Sequence, residues 1–204
     1  MKKISILFFA ILATLSYAQV TFNPGIRAGL NLAKFTQSDS GVYNWFDNND
    51  TNMNFQQGSP GPQMSFMPAF YIGFQGNIRF TKVYALQPEV NFSMQGSNVE
   101  IMGKKYEPRV NYLSFQLVNK FYFNQFNMHI GPSIDVSMGS KNFKMNNTTD
   151  LGILFGLGYD INKNFGIEAR IKKGMIPVTN SGSEDNTNVL IQTGLTFTFP
   201  NGKE

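Results

Sequence analysis

His129 is the only histidine of the chain and the side chain best suited to act as a general base. A hydrolase of the serine type needs that base beside a serine nucleophile and an orienting carboxylate. Ser133 and Asp135 share its face of a predicted strand, but strand rise places them roughly 13 and 20 Å away. Ser93 and Ser114 lie on neighbouring predicted strands, and nothing in the sequence singles them out. The sequence therefore predicts no catalytic residue.

Metal and cofactor motifs are incomplete in the same way. Residues 47–51, Asp-Asn-Asn-Asp-Thr, are similar to the start of a calcium loop, but the loop lacks glycine at its sixth and glutamate at its twelfth position. A lone histidine also excludes a histidine-rich metal site. No helix follows Gly152, Gly156 and Gly158, so they are not a nucleotide motif, and we expect them to relieve crowding inside a narrow sheet. We predict no metal and no cofactor.

Charged residues recur on one face of the predicted strands, among Gly, Ser, Asn and Gln. An isolated buried ion would cost several kcal/mol, so we expect these charges to form salt bridges with one another. The functional alternative is a polar path for a small solute. The cations are Arg27, Arg79, Lys120, Arg170 and Lys172, and the anions are Glu89, Asp135, Asp160 and Glu168.

Strands must position these residues, because large apolar side chains alternate with small or polar ones and no helical period competes. The pattern predicts an all-β fold: a closed eight-stranded antiparallel up-and-down barrel. Pro68, Pro88 and Pro132 lie inside predicted strands, where we expect interrupted pairing or bulges. The predicted strands span residues 25–35, 70–80, 84–95, 112–123, 128–138, 151–161, 165–172 and 189–199.

The predicted connections alternate between short and long. Short turns centre on residues 81–82, 124–125 and 162–164, whereas polar stretches at 36–66, 97–110, 139–149 and 176–187 are longer. This alternation is typical of an outer-membrane barrel with periplasmic turns and extracellular loops. The first loop carries Trp45, Phe46, Phe55 and Phe66, which predict a surface for an envelope protein partner.

The size of the barrel decides which face is outside. The interior of an eight-stranded barrel is just wide enough to be filled by side chains. Faces made of Phe, Ile and Leu on every strand are too bulky to converge there, so we expect them to contact outer-membrane lipid. The polar faces then fill the lumen.

The chain ends carry targeting features. Residues 1–18 combine Lys2 and Lys3, an apolar run and the exit Ser16-Tyr17-Ala18, which predicts a signal peptide for Sec export and a barrel domain at 19–204. No later run is long enough for a helical membrane span. Without the two N-terminal lysines, 15 basic and 13 acidic residues remain, too balanced to predict nucleic-acid binding. The chain has no cysteine, so disulfides do not stabilise it.

The last predicted strand reads Gln-Thr-Gly-Leu-Thr-Phe-Thr-Phe over residues 192–199. This series resembles the C-terminal signal recognised by the outer-membrane barrel assembly machinery. We expect Gly194, Phe197 and Phe199 to be needed for insertion.

Several short motifs in a fixed order resemble the PorT-like outer-membrane β-barrel family of the Bacteroidota. They are GIRAGLNL at 25–32, NYL at 111–113, GP at 131–132, GLGY at 156–159 and IEAR at 167–170. The resemblance implies a small outer-membrane barrel without catalytic residues, and it links the chain to an envelope or type IX secretion complex. We therefore expect a non-enzymatic structural or interaction barrel. A lipid-modifying enzyme and a narrow small-solute channel are the alternatives.

Overall fold

The computed structural model describes residues 20–36, 63–101, 103–142, 145, 147–181 and 184–200. The predicted signal peptide, the acidic stretch 47–51 and the aromatic residues Trp45, Phe46 and Phe55 lie outside these ranges. No helix within the described ranges is long and apolar enough to span a membrane. The strands of the described residues are β1 (Thr21–Phe35), β2 (Gln63–Ser65), β3 (Met67–Arg79), β4 (Tyr84–Gly96), β5 (Asn98–Ile101), β6 (Lys104–Tyr106), β7 (Arg109–Phe123), β8 (Phe126–Lys141), β9 (Thr149–Asp160), β10 (Phe165–Gly174), β11 (Thr179–Ser181), β12 (Glu184–Asn186) and β13 (Asn188–Thr198).

Eight of these strands close into one antiparallel barrel, in the order β1-β13-β10-β9-β8-β7-β4-β3. Closure comes from β1, which pairs with β13 on one side and with β3 on the other. A closed sheet leaves no strand edge, so every strand of the barrel pairs with a neighbour on both sides. All eight predicted strands are present, and the predicted barrel is confirmed.

The two rims of the barrel differ as predicted. Residues 80–83, 124–125 and 161–164 are short turns at one end, which we call the short-turn rim. The opposite end, the long-loop rim, carries additional strands where the sequence predicts only loops. There β2, β5 and β6 form a three-stranded sheet, and β11 pairs with β12. Segments of three or four residues are too short to show a period of two, so their alternation could not be recognised.

Burial is inverted relative to a protein in water. The arginines of the lumen, Arg27 and Arg170, are each 1% exposed, whereas Phe74 and Leu30 on the outer wall are 70% and 64% exposed. Exposed large apolar side chains occur on every one of the eight barrel strands, which is characteristic of a protein in contact with lipid. The predicted assignment of apolar side chains to lipid and polar side chains to the lumen is confirmed.

Aromatic pairs surround the outer wall near the short-turn rim. Phe126 packs edge-on against Tyr159, and Phe165 lies beside Phe197, each pair with ring centroids 4.9 Å apart. The Phe197 ring also meets Phe199 at 5.6 Å. Aromatic girdles of this kind mark the interface between hydrocarbon and water in membrane barrels.

The prolines interrupt pairing without shifting it. The β3–β4 ladder lacks pairs beside Pro88 and resumes in the same register, and the β7–β8 ladder does the same beside Pro132. Each interruption follows from the missing N–H of proline. The one register shift along the described barrel ladders lies between Asn111 and Tyr112, so no proline marks a bulge. The expected interruption of pairing is confirmed at Pro88 and Pro132, whereas Pro68 pairs with Leu32.

An apolar cluster covers the lumen at the long-loop rim. Barrel strands contribute Phe35, Val110 and Tyr112, whose side chains are buried. Met64 on β2, Val99 on β5 and Val178 complete the cluster from the side of the long loops. We call these six residues the apolar cap. It joins the small outer sheet to the inner face of the barrel at the long-loop rim.

Candidate functional site

The most charged part of the lumen is a cluster of four residues, Arg27 on β1, Glu89 on β4, and Glu168 and Arg170 on β10. Strand alternation places all four on the inner face, and each is at most 6% exposed. Two cations and two anions make the group neutral overall. We call it the ionic quartet.

Its members are joined by charge-assisted hydrogen bonds. Arg170 binds Glu89 through two parallel bonds of 2.8 Å, from Nη1 to Oε2 and from Nη2 to Oε1. The same Nη2 also donates to Glu168 Oε2 at 2.9 Å. Arg27 donates through Nε to Glu168 Oε1 at 3.0 Å and forms a further ion pair with Glu89. Bidentate arginine–carboxylate pairs are strong, and their two parallel hydrogen bonds also fix the relative orientation of the two side chains.

Polar neighbours use the remaining hydrogen-bonding capacity of the quartet. Tyr71 donates its hydroxyl proton to Glu168 Oε1 at 3.0 Å, and Arg27 lies 4.8 Å from the centre of the Tyr71 ring. The Gln87 amide donates to Glu89 Oε1 at 2.7 Å. Buried carboxylates therefore have both charge and hydrogen-bond partners, which is the condition for a buried ion cluster to be tolerated.

His129 belongs to the surroundings of this cluster. Its Nδ1 accepts a hydrogen bond of 3.0 Å from Arg170 Nε, so the proton of the neutral ring is assigned to Nε2. Nε2 is in hydrogen-bond contact with Asn127 Oδ1. Both ring nitrogens are thus engaged by residues other than serine. The hydroxyl oxygens of Ser114 and Ser133 have no hydrogen-bond partner among the described residues.

The predicted salt bridges form only in part. Lys172 pairs with Asp135, as expected. Within the described residues no ion pair involves Arg79, Lys120 or Asp160, so the expectation is wrong for these three. Arg79 instead lies 3.7 Å from the centre of the Tyr122 ring, a cation–π contact that partly replaces an anion. Asp160 accepts from the Asn127 amide at 3.2 Å.

The lumen glycines make room for the side chains of neighbouring strands, as predicted. A Cβ at Gly156 would lie 2.6 Å from Arg170 Cγ and 2.7 Å from the Ala169 carbonyl oxygen. At Gly158 it would lie 3.0 Å from His129 Nε2. These glycines on β9 therefore let Arg170 and His129 occupy the centre of the barrel.

Changing Gly156 to alanine is expected to destabilise the barrel by about 1 to 3 kcal/mol, the usual cost of overpacking. The new methyl group must displace both the Arg170 stem and backbone on β10. Gly76→Ala is the matched control, because its Cβ would meet chiefly the exposed ring of Phe22 at 2.8 Å, and that ring can move. Urea unfolding would measure the stability of both variants, with the folded fraction read from the gel band of the folded barrel in unboiled samples. Equal effects would mean that crowding around Arg170 is not the cause.

Sequence reasoning missed two lumen residues of β9. Asp150 is 4% exposed and Leu154 is fully buried, and both are in phase with Gly152 and Gly156. Extending the alternation by one residue would have found Asp150. Leu154 breaks the rule that apolar residues face lipid, and no pattern distinguishes it. Among the described residues no group of three or more His, Cys, Asp and Glu side chains is arranged to hold a metal ion.

A closed eight-stranded barrel with an apolar wall, aromatic girdle and charged lumen defines an outer-membrane β-barrel protein. Sequence comparison agrees, because the model of the outer membrane protein beta-barrel domain family matches residues 17–180. The chain belongs to this family, and its place is the outer membrane.

Solved structures to which this chain is similar are distant from it in sequence. Neisserial surface protein A aligns with a TM-score of 0.52 at 10% identity, over 88% of this chain and 99% of that one. OprG from Pseudomonas aeruginosa aligns with a TM-score of 0.49 at 12% identity, over 90% and 99%. Ail, the attachment invasion locus protein of Yersinia pestis, aligns at 0.46 and 14%, over 87% and 98%. Comparison with curated protein sequences finds no match.

Proposed function

We propose that this protein is a non-enzymatic interaction barrel, a membrane scaffold whose long-loop rim contacts another component of the cell envelope. The observation that carries the proposal is a lumen spanned by side chains, because Arg170 on β10 bonds Glu89 on β4, the strand opposite it in the barrel. The ionic quartet occupies its centre, and the apolar cap covers the end at which the long loops lie. Both features favour a rigid support over a path for solutes.

The outer elements support the same proposal. The small sheet of β2, β5 and β6 stands beyond the barrel wall and is anchored through Met64 and Val99 of the apolar cap. Lys104 and Lys105 on β6 are exposed there. A structured extension fixed to a membrane barrel presents a defined surface to a partner at a lower ordering cost than a free loop.

The finer assignment rests on the sequence motifs. We propose membership of the PorT-like group of the Bacteroidota, Sec export directed by residues 1–18, and a partner in an envelope or type IX secretion complex. We also propose that the barrel assembly machinery recognises the C-terminal strand. The outward cluster of Phe165, Phe197 and Phe199 supports that proposal, because it displays the aromatic side chains of the signal.

The test is affinity purification from native outer membranes. Wild-type protein is expected to retain a reproducible partner, and a variant with residues 37–62 replaced by a short flexible linker is expected to lose it. Charge reversal at Lys82, an exposed residue on the short-turn rim, is the matched control and should retain it. In planar bilayers the wild-type barrel should show negligible conductance.

Three outcomes contradict the proposal. Steady conductance through the purified barrel would indicate a channel. Lipid modification that disappears in His129→Ala would indicate an enzyme. Absence of any partner in both wild type and the Lys82 variant would leave no interaction for the scaffold to support.

A further inference from the structure

A second charged cluster lies in the lumen between the ionic quartet and the apolar cap. Asp135 on β8 and Asp150 on β9 are direct partners in the strand register. Directly opposed residues project from the same face with Cβ atoms about 4.5 to 5.5 Å apart. Both side chains face inward and are 1% and 4% exposed. Two buried carboxylates therefore point into the same small space.

The charges of this cluster do not balance. Lys172 forms an ion pair with Asp135 Oδ2 and is the one cation recorded in contact with either carboxylate within the described ranges. Asp150 Oδ1 accepts the backbone N–H groups of Met175 at 3.2 Å and Ile176 at 3.1 Å, which hold it in place without neutralising it. With both carboxylates ionised, one negative charge is left over. Like charges opposed across a strand pair destabilise a sheet, more so when buried.

Several buried oxygen atoms of this part of the lumen lack hydrogen-bond partners among the described residues. Asp135 Oδ1 and Asp150 Oδ2 each lack a hydrogen-bond partner among the described residues. Gln95 is completely buried, its amide nitrogen donates to Asp135 Oδ2 at 3.2 Å, and the oxygen of the same amide group, Oε1, has no hydrogen-bond partner among the described residues. Ser133 Oγ, two residues before Asp135 on the same face, is also unpartnered. A buried polar atom left in this condition is costly.

We propose that Asp135 and Asp150 bind a hard metal cation, with the side-chain oxygens of Gln95 and Ser133 completing its coordination. Carboxylate, amide carbonyl and hydroxyl oxygens are the ligands that such cations prefer. A single Na⁺ or K⁺ would neutralise the residual charge, whereas Ca²⁺ would reverse it. The apolar cap above the cluster makes exchange slow, so the cation acts as a structural part of the extracellular half of the barrel.

Asp150→Asn is the decisive variant because it is nearly isosteric. The asparagine Oδ1 can still accept from Met175 and Ile176, while its amide nitrogen can donate to Asp135 Oδ1. The substitution removes the surplus negative charge. It also provides a hydrogen bond between the two side-chain positions that lack one, Asp135 Oδ1 and the Oδ2 position of residue 150. Asp160→Asn is the matched control, since Asp160 is a carboxylate at the short-turn end of the same strand.

The measurement is the temperature at which half of the refolded protein loses its folded band, in NaCl, KCl, CaCl₂ or choline chloride at equal ionic strength. Wild type and Asp160→Asn should melt roughly 5 to 10 °C higher with a bound metal cation in hundredfold excess over its Kd than in choline. Asp150→Asn should lose this difference and melt in choline at least as high as wild type.

The results distinguish a bound metal cation from a proton shared by the two carboxylates. Stabilisation by Na⁺ or K⁺ identifies a monovalent site, and stabilisation by Ca²⁺ alone identifies a divalent one. Equal melting of wild type in all four salts overturns the proposal. So does a dependence that persists in Asp150→Asn, or stabilisation by acid that is the same in every salt, because a shared proton would then replace the metal.

Discussion

Replacing Glu89 with glutamine is expected to lower the free energy of unfolding by about 3 to 5 kcal/mol, the cost of removing one partner from a buried ion pair. Glu89 has contacts with both Arg27 and Arg170, and it is buried at the centre of the lumen. Its loss leaves two guanidinium groups to share Glu168. Urea titration of the refolded barrel in detergent, read from the folded band on gels, would measure the change.

Two companion variants make this result specific. Glu107→Gln removes a carboxylate paired with Arg109, but these side chains are 53% and 43% exposed, so a loss of less than about 1 kcal/mol is expected. Glu89→Gln combined with Arg27→Met restores neutrality and should recover part of the loss. If Glu89→Gln were no worse than Glu107→Gln, the ionic quartet would contribute little to holding the barrel closed.

Arginine at Phe74 is expected to destabilise the barrel by about 2 to 4 kcal/mol in lipid vesicles. Phe74 lies in the middle of β3 and is the most exposed large apolar residue of the outer wall. A charge there would have to enter the hydrocarbon. Reversible urea unfolding in vesicles would give the free energy.

A residue at a different depth in the membrane provides the control for the prediction at Phe74. Phe22 has a similar exposure but stands at the start of β1, near the short-turn rim, where the same substitution should cost about 0 to 1 kcal/mol. Arginine at Gln75 should act differently, through crowding and charge repulsion next to the quartet. Indistinguishable effects at Phe74 and Phe22 would contradict the placement of this wall in the bilayer.

The transmembrane architecture could be predicted from sequence because lipid contact imposes one rule on every strand. Alternation with a period of two located all eight barrel strands, and unequal connections distinguished the two rims. The rule fails where its physical cause is absent. The strands β2, β5, β6, β11 and β12 lie beyond the barrel, where neither lipid nor a narrow lumen selects side chains by face.

Prediction of the lumen was less complete for a related reason. Face alternation identified the charged residues but carries no information on which of them meet across the barrel. Arg27, Glu89, Glu168 and Arg170 come together because closure of the barrel brings inward-facing side chains of β1, β4 and β10 within reach of one another across the lumen. Arg79 lies by the same geometry over the Tyr122 ring, and Asp150 escaped notice because it stands next to a predicted loop.

The ionic quartet is assembled from distant parts of the chain, and this has a consequence for biogenesis. Arg27 and Glu89 are 62 residues apart, whereas Arg27 reaches Glu168 across 141 residues. Strands β1 to β4 thus carry one neutral pair, and β10 carries another in Glu168 and Arg170. When the first and last strands meet, the two pairs merge as neutral units. A chain that stops before β10 would still hold the Arg27–Glu89 pair, whereas Asp135 would lack its partner Lys172 until β10 is added.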